Sequence, residues 1–590
     1  MDIFGVLTMA GGLALFLYGM ETMGKGLSQI SGGKLERILE RLSSGPLRAV
    51  LLGAAVTALI QSSSATTVMV VGFVNSGIMK LTQAVGIIMG ANVGTTVTSW
   101  ILSLSGIESS SLFLRLLKPS SFAPVTAVIG VCLLMFSGKE KRKELGGILT
   151  GFAILMTGMD AMSGAVKPLA DVPEFTGMLT MFSHPLAGML CGALLTAVIQ
   201  SSSASVGILQ ALCATGAVSF GTAVPIIMGQ NIGTCVTALL SGIGAHKNAR
   251  RAALVHLYFN VIGTLIFMTV FYGLNGLLRF DFLEQPVNAA GIAAAHSVFN
   301  VAATVFLLPF SGFLVKLACL TIPDSGAKKG PGNEDANELR LLDVRFLDTP
   351  GYAVEQCRIA AVKMAGLSRE AFLRSAKLLE AFREEDAQEV RRLEQLVDRY
   401  EDGLGNYLLR LGSRDLTERD SRTISMLLHC IGDFERICDH AVNLAETAEE
   451  LHCKKLRFSR NAKEELEVLT GALREVLDTA VEVFEREDTA KAAEVEPLEE
   501  TIDDLSRELR KRHVRRLRAG ECTIELGFVL ADLVTNYERI SDHCSNVAIA
   551  LLQSGEESQE AHEYTAELHR GENAEFQRAY EAYRKKYTLP

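Results

Sequence analysis

Apolar residues run in membrane-length blocks through the first part of the chain, at about 3–24, 46–77, 82–104, 120–137, 146–164, 185–216, 220–243, 252–275 and 287–309. A spanning helix needs about 20 such residues, so most blocks fit one crossing. Two are too long. The 46–77 and 185–216 blocks carry Gln-Ser-Ser-Ser at their centres, at Gln61–Ser64 and Gln200–Ser203. A polar tract there predicts two half-length helices with the serines at the turn, a re-entrant hairpin, in competition with one long spanning helix. Irregular backbone at membrane depth is tolerated only where protein or a water-filled cavity encloses it. Further on the pattern changes to helical periodicity, at about 354–385, 388–412, 416–452, 460–486, 490–518 and 523–554. Ile424, Leu428, Ile431, Phe434, Cys438, Ala441 and Ala445 recur every three or four residues. Six amphipathic helices without strands predict packed three-helix bundles.

The polar tracts belong to a duplication. Gln61–Ala65 recurs at Gln200–Ala204. The same offset relates Gly19-Met20-Glu21 to Gly158-Met159-Asp160, Pro46-Leu47 to Pro185-Leu186, and Gly90–Thr95 to Gly229–Thr234. If both long blocks are hairpins, each copy has an odd number of crossings. The second copy must then lie upside down, and the two tips approach each other near the midplane. Basic residues favour this reading. It gathers Lys80, the Lys139–Lys143 cluster, Lys247, Arg250 and Arg251 on the side of the C-terminal part, as loops facing the cytoplasm require. The expected fold is therefore all-α: a polytopic membrane protein of inverted repeats with two re-entrant hairpins, then a cytoplasmic pair of three-helix bundles. The transmembrane domain covers 1–318, with one copy at about 3–137, the second at 146–275 and an extra helix at 287–309. A Pro-, Gly- and Lys-containing linker covers 319–344, the helical domain 345–555, and a charged helical tail 556–590.

A half-helix that starts inside the membrane presents free N–H groups and partial positive charge, which attract an anion. One that ends there presents carbonyl oxygens, which suit a hard cation. Ser62, Ser63, Ser64, Thr66 and Thr67 in the first copy can donate to an oxyanion or ligate sodium. Ser201, Ser202, Ser203 and Ser205 do the same in the second. Gln61 and Gln200 can bridge the copies, and Asn92, Thr95, Asn231 and Thr234 offer cation ligands. The competing reading is helix packing by small residues. Glu21 and Asp160 read as interfacial carboxylates, and His256 and His296 as hydrogen-bonded packing residues. The paired tracts with their Asn-x-Gly-Thr companions resemble the bacterial form of the type II sodium–phosphate cotransporter family, over residues 1 to about 310. The resemblance implies sodium-driven uptake of inorganic phosphate, with both tracts forming the substrate and sodium sites.

The second part is also duplicated. Glu435–His440 with Asn443 matches Glu538–His543 with Asn546. Upstream, Glu394 and Asp398 match Glu499 and Asp503. In every pair Glu and Asp are four apart, on one helix face. Like charges at that spacing repel, and a bound metal would relieve the repulsion. The alternative is a solvated face with Arg436 and Arg539 as counter-charges. The pattern resembles the PhoU family over about 345–555. That resemblance implies multivalent metal clusters at Glu394, Asp398, Glu435, Asp439, Glu499, Asp503, Glu538 and Asp542, and a role in modulating phosphate uptake and signalling, with a signalling partner.

Composition adds exclusions. The net charge of −10 over 590 residues arises in the second part. Eleven Cys residues contain no CxxC pair, which argues against a disulfide framework or a zinc ribbon. No P-loop or nucleophile elbow occurs, so an enzyme is not expected, and transport should draw on an ion gradient. The basic run Arg510–Arg518 is short and flanked by acids, so nucleic-acid binding is not expected. The expectation is a multi-pass protein of the cytoplasmic membrane that carries phosphate with sodium. The rivals are a membrane-anchored phosphate sensor and a carrier or exporter of another oxyanion.

Overall fold

The computed structural model describes residues 3–31, 38–39, 45–106, 119–323, 342–555 and 574–590. The central part of the expected linker (324–341) and the first part of the expected tail (556–573) lie outside these residues. The described residues are all-helical, with one isolated β-bridge between Ser219 and Pro286. They form two units, and Asp343–Tyr352 packs with the N-terminal one.

Six segments of the first unit are long and apolar enough to cross a membrane: Ile3–Ile30, Leu81–Ser103, Lys141–Leu169, Phe220–Ser241, Lys247–Leu278 and Ala289–Thr321. The helices are α1 (Ile3–Ser31), α2 (Pro46–Ile60), α3 (Ser63–Ser76), α4 (Leu81–Ser103), α5 (Pro119–Phe136), α6 (Glu140–Val166) and α7 (Pro173–Met181). Then follow α8 (Pro185–Ile199), α9 (Ser202–Leu212), α10 (Phe220–Ser241), α11 (Lys247–Leu278), α12 (Ala289–Leu307) and α13 (Ser311–Thr321). The two long apolar blocks are each broken in the middle. α2 and α3 have 15 and 14 residues, and α8 and α9 have 15 and 11. At 1.5 Å per residue, none reaches across a hydrocarbon core of about 30 Å.

Glycines fix the packing. α2 lies parallel to α4, so close that a Cβ on Gly90 would overlap the Val50 carbonyl oxygen. The second copy repeats the match, where a Cβ on Gly229 would overlap the Met189 oxygen. Since α2 and α4 run the same way, α3 returns the chain to the Pro46 end of α2, where α4 begins. α1 lies antiparallel to α6: Gly12 faces Gly158, and Gly19 faces Gly151. By the repeat offset Gly12 corresponds to Gly151 and Gly19 to Gly158, so the contact is reciprocal.

The outer faces are apolar. On α8, Leu186, Leu190, Leu194 and Val198 are exposed at four-residue spacing, while Gly188, Gly192 and Thr196 are buried. Such inside-out polarity suits a lipid surround.

The second unit starts within α14 (Pro350–Glu380) and continues through α15 (Glu384–Gly412) and α16 (Glu418–Cys453). A second set comprises α17 (Arg460–Arg486), α18 (Val495–Arg518) and α19 (Ile524–Gly555), and α20 (Ala574–Lys586) packs on α18. Most of these bounds follow the sequence periodicity; the first helix lies earlier than expected, at Pro350–Glu380 instead of about 354–385, the second starts at Glu384 instead of about 388, and the fifth starts late. The Pro497 ring opposes the carbonyl four residues earlier, so the chain makes a short turn at Thr489–Ala492 and restarts at Val495. Leu393, Leu396, Val397, Tyr400, Leu404 and Leu408 bury the inner face of α15. Ser368 and Ser375 of α14 donate to the Phe434 and Ala441 carbonyls of α16 at 2.8 and 2.7 Å.

Candidate functional site

At the end of α2 the chain turns through Gln61, whose φ is +60°. Ser62 then caps α3, its hydroxyl accepting from Ala65 N at 3.1 Å. The second copy does the same: Gln200 has φ +59°, and Ser201 accepts from Ala204 N at 3.2 Å. Each tip therefore ends one helix in a left-handed residue and starts another with a serine cap. The first N–H groups of α3 and α9 have no partner within their helices, and the helix dipoles add partial positive charge. The tips meet where the Ser64 hydroxyl donates to the Gln200 carbonyl oxygen at 3.4 Å. Ser63, Ser202 and Ser203 are buried beside them.

The tips differ in how they are held. In the first copy Thr57 donates to Thr66 at 3.0 Å, and Thr66 to the Ser62 carbonyl at 3.0 Å. Thr98 donates to the Gln61 side-chain oxygen at 3.0 Å, the Gln61 amide donates to the Ala58 carbonyl, and Gln61 is buried. Thr67 back-bonds to the Ser63 carbonyl at 2.8 Å. In the second copy Gln200 is exposed. The hydroxyls of Thr196, Ser205 and Thr237, which correspond to Thr57, Thr66 and Thr98, are buried with no partner among the described residues.

The Asn-x-Gly-Thr motifs sit on the long helices behind the tips. Asn92 donates to Asn260 of α11 at 2.8 Å, and Asn231 to Asn300 of α12 at 2.7 Å. Thr95 and Thr234 back-bond to the Ala91 and Gln230 carbonyls, each at 3.0 Å. Asn260 and Asn300 are site residues that sequence reasoning missed. Their signal was present: His-x-x-Phe-Asn at 256–260 recurs at 296–300. The histidines are both buried but not equivalent. His296 meets the Ser99 hydroxyl through Nδ1 at 2.8 Å and Asn231 through Nε2 at 3.4 Å. The counterpart of Ser99 is Ala238, and neither ring nitrogen of His256 has a partner among the described residues. Glu21 is exposed and pairs with Lys25 at 3.0 Å.

In the second unit, carboxylate oxygens of Glu499, Asp503 and Asp542 lie within 4.8 Å of one another. Burial, then the neighbouring Glu496, Asp503 and Asp542, pushes the Glu499 carboxyl up to about 9. Asp503 is raised by burial and then by Glu538 and Asp542. Glu538 itself is held by Arg510 at 2.8 and 2.5 Å. In the first bundle, burial and then Asp439 and Glu401 push Glu435 up to about 7. Glu394 is raised by burial, then by Asp439 and Asp398. Among the described residues, the trio of Glu499, Asp503 and Asp542 brings its oxygens close enough to fit one oxygen-ligated divalent cation, whereas Glu394, Asp398, Glu435 and Asp439 form no such group. The two bundles also exchange histidine bonds across their seam. His440 bonds Asn536 at 2.8 Å, and His543 bonds Asp433 at 2.8 Å.

Residues 15–164 and 166–280 match the model of the Na+/Pi-cotransporter family, and residues 361–448 and 468–551 match that of the PhoU domain. The chain belongs to the Na+/Pi-cotransporter family and carries a C-terminal PhoU domain; it is a membrane protein. It is 25% identical over 565 residues to "Putative inorganic phosphate export protein YjbB" of Escherichia coli (strain K12), covering 95% of this chain and 99% of that one. It is 30% identical over 314 residues to the uncharacterized protein YqeW of Bacillus subtilis (strain 168), covering 53% of this chain and 96% of that one. Sodium-dependent phosphate transport protein 2A of Rattus norvegicus is 23% identical over 380 residues, covering 44% of this chain and 60% of that one. Among solved structures, PhoU from Pseudomonas aeruginosa is similar at 23% identity and TM-score 0.33, covering 34% of this chain and 95% of that one.

Proposed function

We propose that the chain carries inorganic phosphate across the membrane, coupled to sodium, by alternating access between two inverted copies. The observation that carries this reading is the meeting of two serine-capped helix starts at Ser64 and Gln200. Phosphate is bound by the N–H groups of α3 and α9 with Ser62, Ser63, Ser64, Ser201, Ser202 and Ser203. Sodium takes hydroxyl, amide and carbonyl oxygens of Gln61, Thr66, Asn92, Thr95, Gln200, Ser205, Asn231 and Thr234, and offsets the phosphate charge. The reciprocal seam of α1 on α6 supports the inverted arrangement: its helices are antiparallel, and each glycine meets the counterpart of its partner. Short arms and the parallel packing of α2 on α4 support re-entrant hairpins. The bonded first tip and the less bonded second tip, with Gln61 buried and Gln200 exposed, read as two ends of one exchange.

The PhoU-like part is read as a cytoplasmic regulator whose acidic clusters hold a divalent cation. Those residues are Glu394, Asp398, Glu435 and Asp439 in one bundle and Glu499, Asp503, Glu538 and Asp542 in the other.

Direction divides two readings. Sodium-driven uptake is favoured by the resemblance to the Na+/Pi-cotransporter family. Export is favoured by the E. coli relative, which is named for export and matches through both parts. Radiolabelled phosphate flux in proteoliposomes, with the sodium gradient set in either sense, tests both. Wild type should respond to the gradient, and Ser63→Ala and Ser202→Ala should slow the flux. Sodium-independent flux, or unaffected variants, would overturn the mechanism.

A further inference from the structure

The residues that follow the undescribed stretch come back to the transport unit. Asp343 accepts from Arg345 N at 2.9 Å and grips the Arg345 guanidinium through both oxygens, at 2.9 and 2.7 Å. One of those oxygens also accepts from the Asn75 side chain at 2.6 Å. Asn75 stands near the end of α3, the returning arm of the first hairpin. Its amide oxygen in turn accepts from His246 N, at the cap of α11, at 2.8 Å. Arg345 Nε donates to the Ser241 carbonyl, at the end of α10, at 2.8 Å. Aromatic packing completes the contact: the Phe346 and Tyr352 rings lie 5.4 and 5.2 Å from Phe73. All three rings are buried. Gly72 leaves the space, since a Cβ there would sit 2.7 Å from the Phe346 ring.

One short strap thus pins an arm from the first copy to two helix ends of the second. Tyr352 already belongs to the first turn of α14, so the strap runs without a break into the first helix of the PhoU-like part.

We propose that Asp343–Tyr352 is a latch that holds the first hairpin against α10 and α11, released through α14 by the C-terminal domain when transport is called for. The proposal rests on the transport reading for its purpose, though not for its geometry. The arm cannot leave α10 and α11 while the strap is seated. The Asp343 side chain is only 3% exposed and that of Arg345 12%. Removing one partner strands the other charge without water, so the pair must leave together. The aromatic cluster leaves with them, which makes release a single step instead of a gradual loosening.

The test uses the full chain in proteoliposomes with Asn75→Cys and Asp343→Cys joined by a short bifunctional thiosulfonate reagent that reductant cleaves. Joining should slow phosphate flux by about tenfold or more, and reductant should restore it. Flux at the unjoined rate would overturn the latch. A second reading does not depend on the substrate: hydrogen exchange along α3 in Arg345→Ala with Phe346→Ala. Exchange should rise along that helix, and unchanged exchange would also overturn the latch. If wild type carries no phosphate, the transport reading fails, and the exchange result alone decides the latch.

Discussion

The Ser64 hydroxyl reaches the Gln200 carbonyl oxygen at 3.4 Å, across 136 residues of chain. That contact ties the first turn of one half-helix to the last residue of another from the opposite copy. It brings two sets of unshared helix N–H groups, one from each copy, to one place.

The left-handed glutamines give the first prediction. A non-glycine residue pays roughly 1 kcal/mol or more for φ near +60°. Gln200→Gly should therefore stabilise the protein by about 1 kcal/mol, while phosphate flux falls if Gln200 serves as the proposed sodium ligand. Gln61→Gly gains the same relief but loses the bond from Thr98 and the one to the Ala58 carbonyl, each worth about 1 kcal/mol, and should come out destabilised by about 1 kcal/mol. Thermal unfolding in detergent beside flux measurements separates the two. Equal stabilisation of both variants would contradict this account.

Helix contact sets the second. Gly90→Ala and Gly229→Ala should each destabilise by about 1–3 kcal/mol or more, since the added methyl meets backbone. Gly147→Ala, with nothing within 4 Å of the new Cβ, should be neutral or stabilising by up to about 1 kcal/mol. The unfolding midpoints of the three variants check the order.

The unequal histidines give the third. Ser99→Ala removes the partner of His296 Nδ1 and should cost about 1–3 kcal/mol. Ala238→Ser places a hydroxyl at the matching position for His256 and should add about 0.5–1.5 kcal/mol. Stabilisation by the first change or loss from the second would count against the pseudo-symmetric assignment.

The acidic trio gives the fourth. An unfolded glutamate releases its proton near 4.5, whereas folded Glu499 keeps it to about 9. Across that window the folded chain holds more protons than the unfolded one, so this group's stabilisation is lost as pH rises. In chelator, the unfolding midpoint of the full chain should drop as pH rises through the window. Mn2+ or Mg2+ should offset the drop, and Glu499→Gln should flatten it. A midpoint indifferent to both pH and metal would remove the trio as a cation site.

Much of this was legible in the chain because two signals were strong. Most helix bounds of the second unit follow apolar periodicity; Pro497 moved the start of the fifth, and the first two helices begin earlier than the pattern suggested. The interrupted blocks at Gln61 and Gln200 announced broken helices. What escaped was pairing between elements of different repeat. Asn260 and Asn300 sit on helices related by a much shorter offset than the one that relates Gln61 to Gln200, so the longer repeat does not reveal them. The latch escaped for another reason. Asp343, Arg345 and Phe346 adjoin a linker by composition, and only the fold brings Asn75 and Phe73 to meet them.

The borrowed amides have a consequence for each half. Asn92 leans on Asn260, and Asn231 leans on Asn300, which lies beyond the end of the second copy. Neither half of the duplication carries all the side chains its own motif uses. Expressing residues 1–145 and 146–590 as separate polypeptides should therefore restore phosphate flux only when both are present.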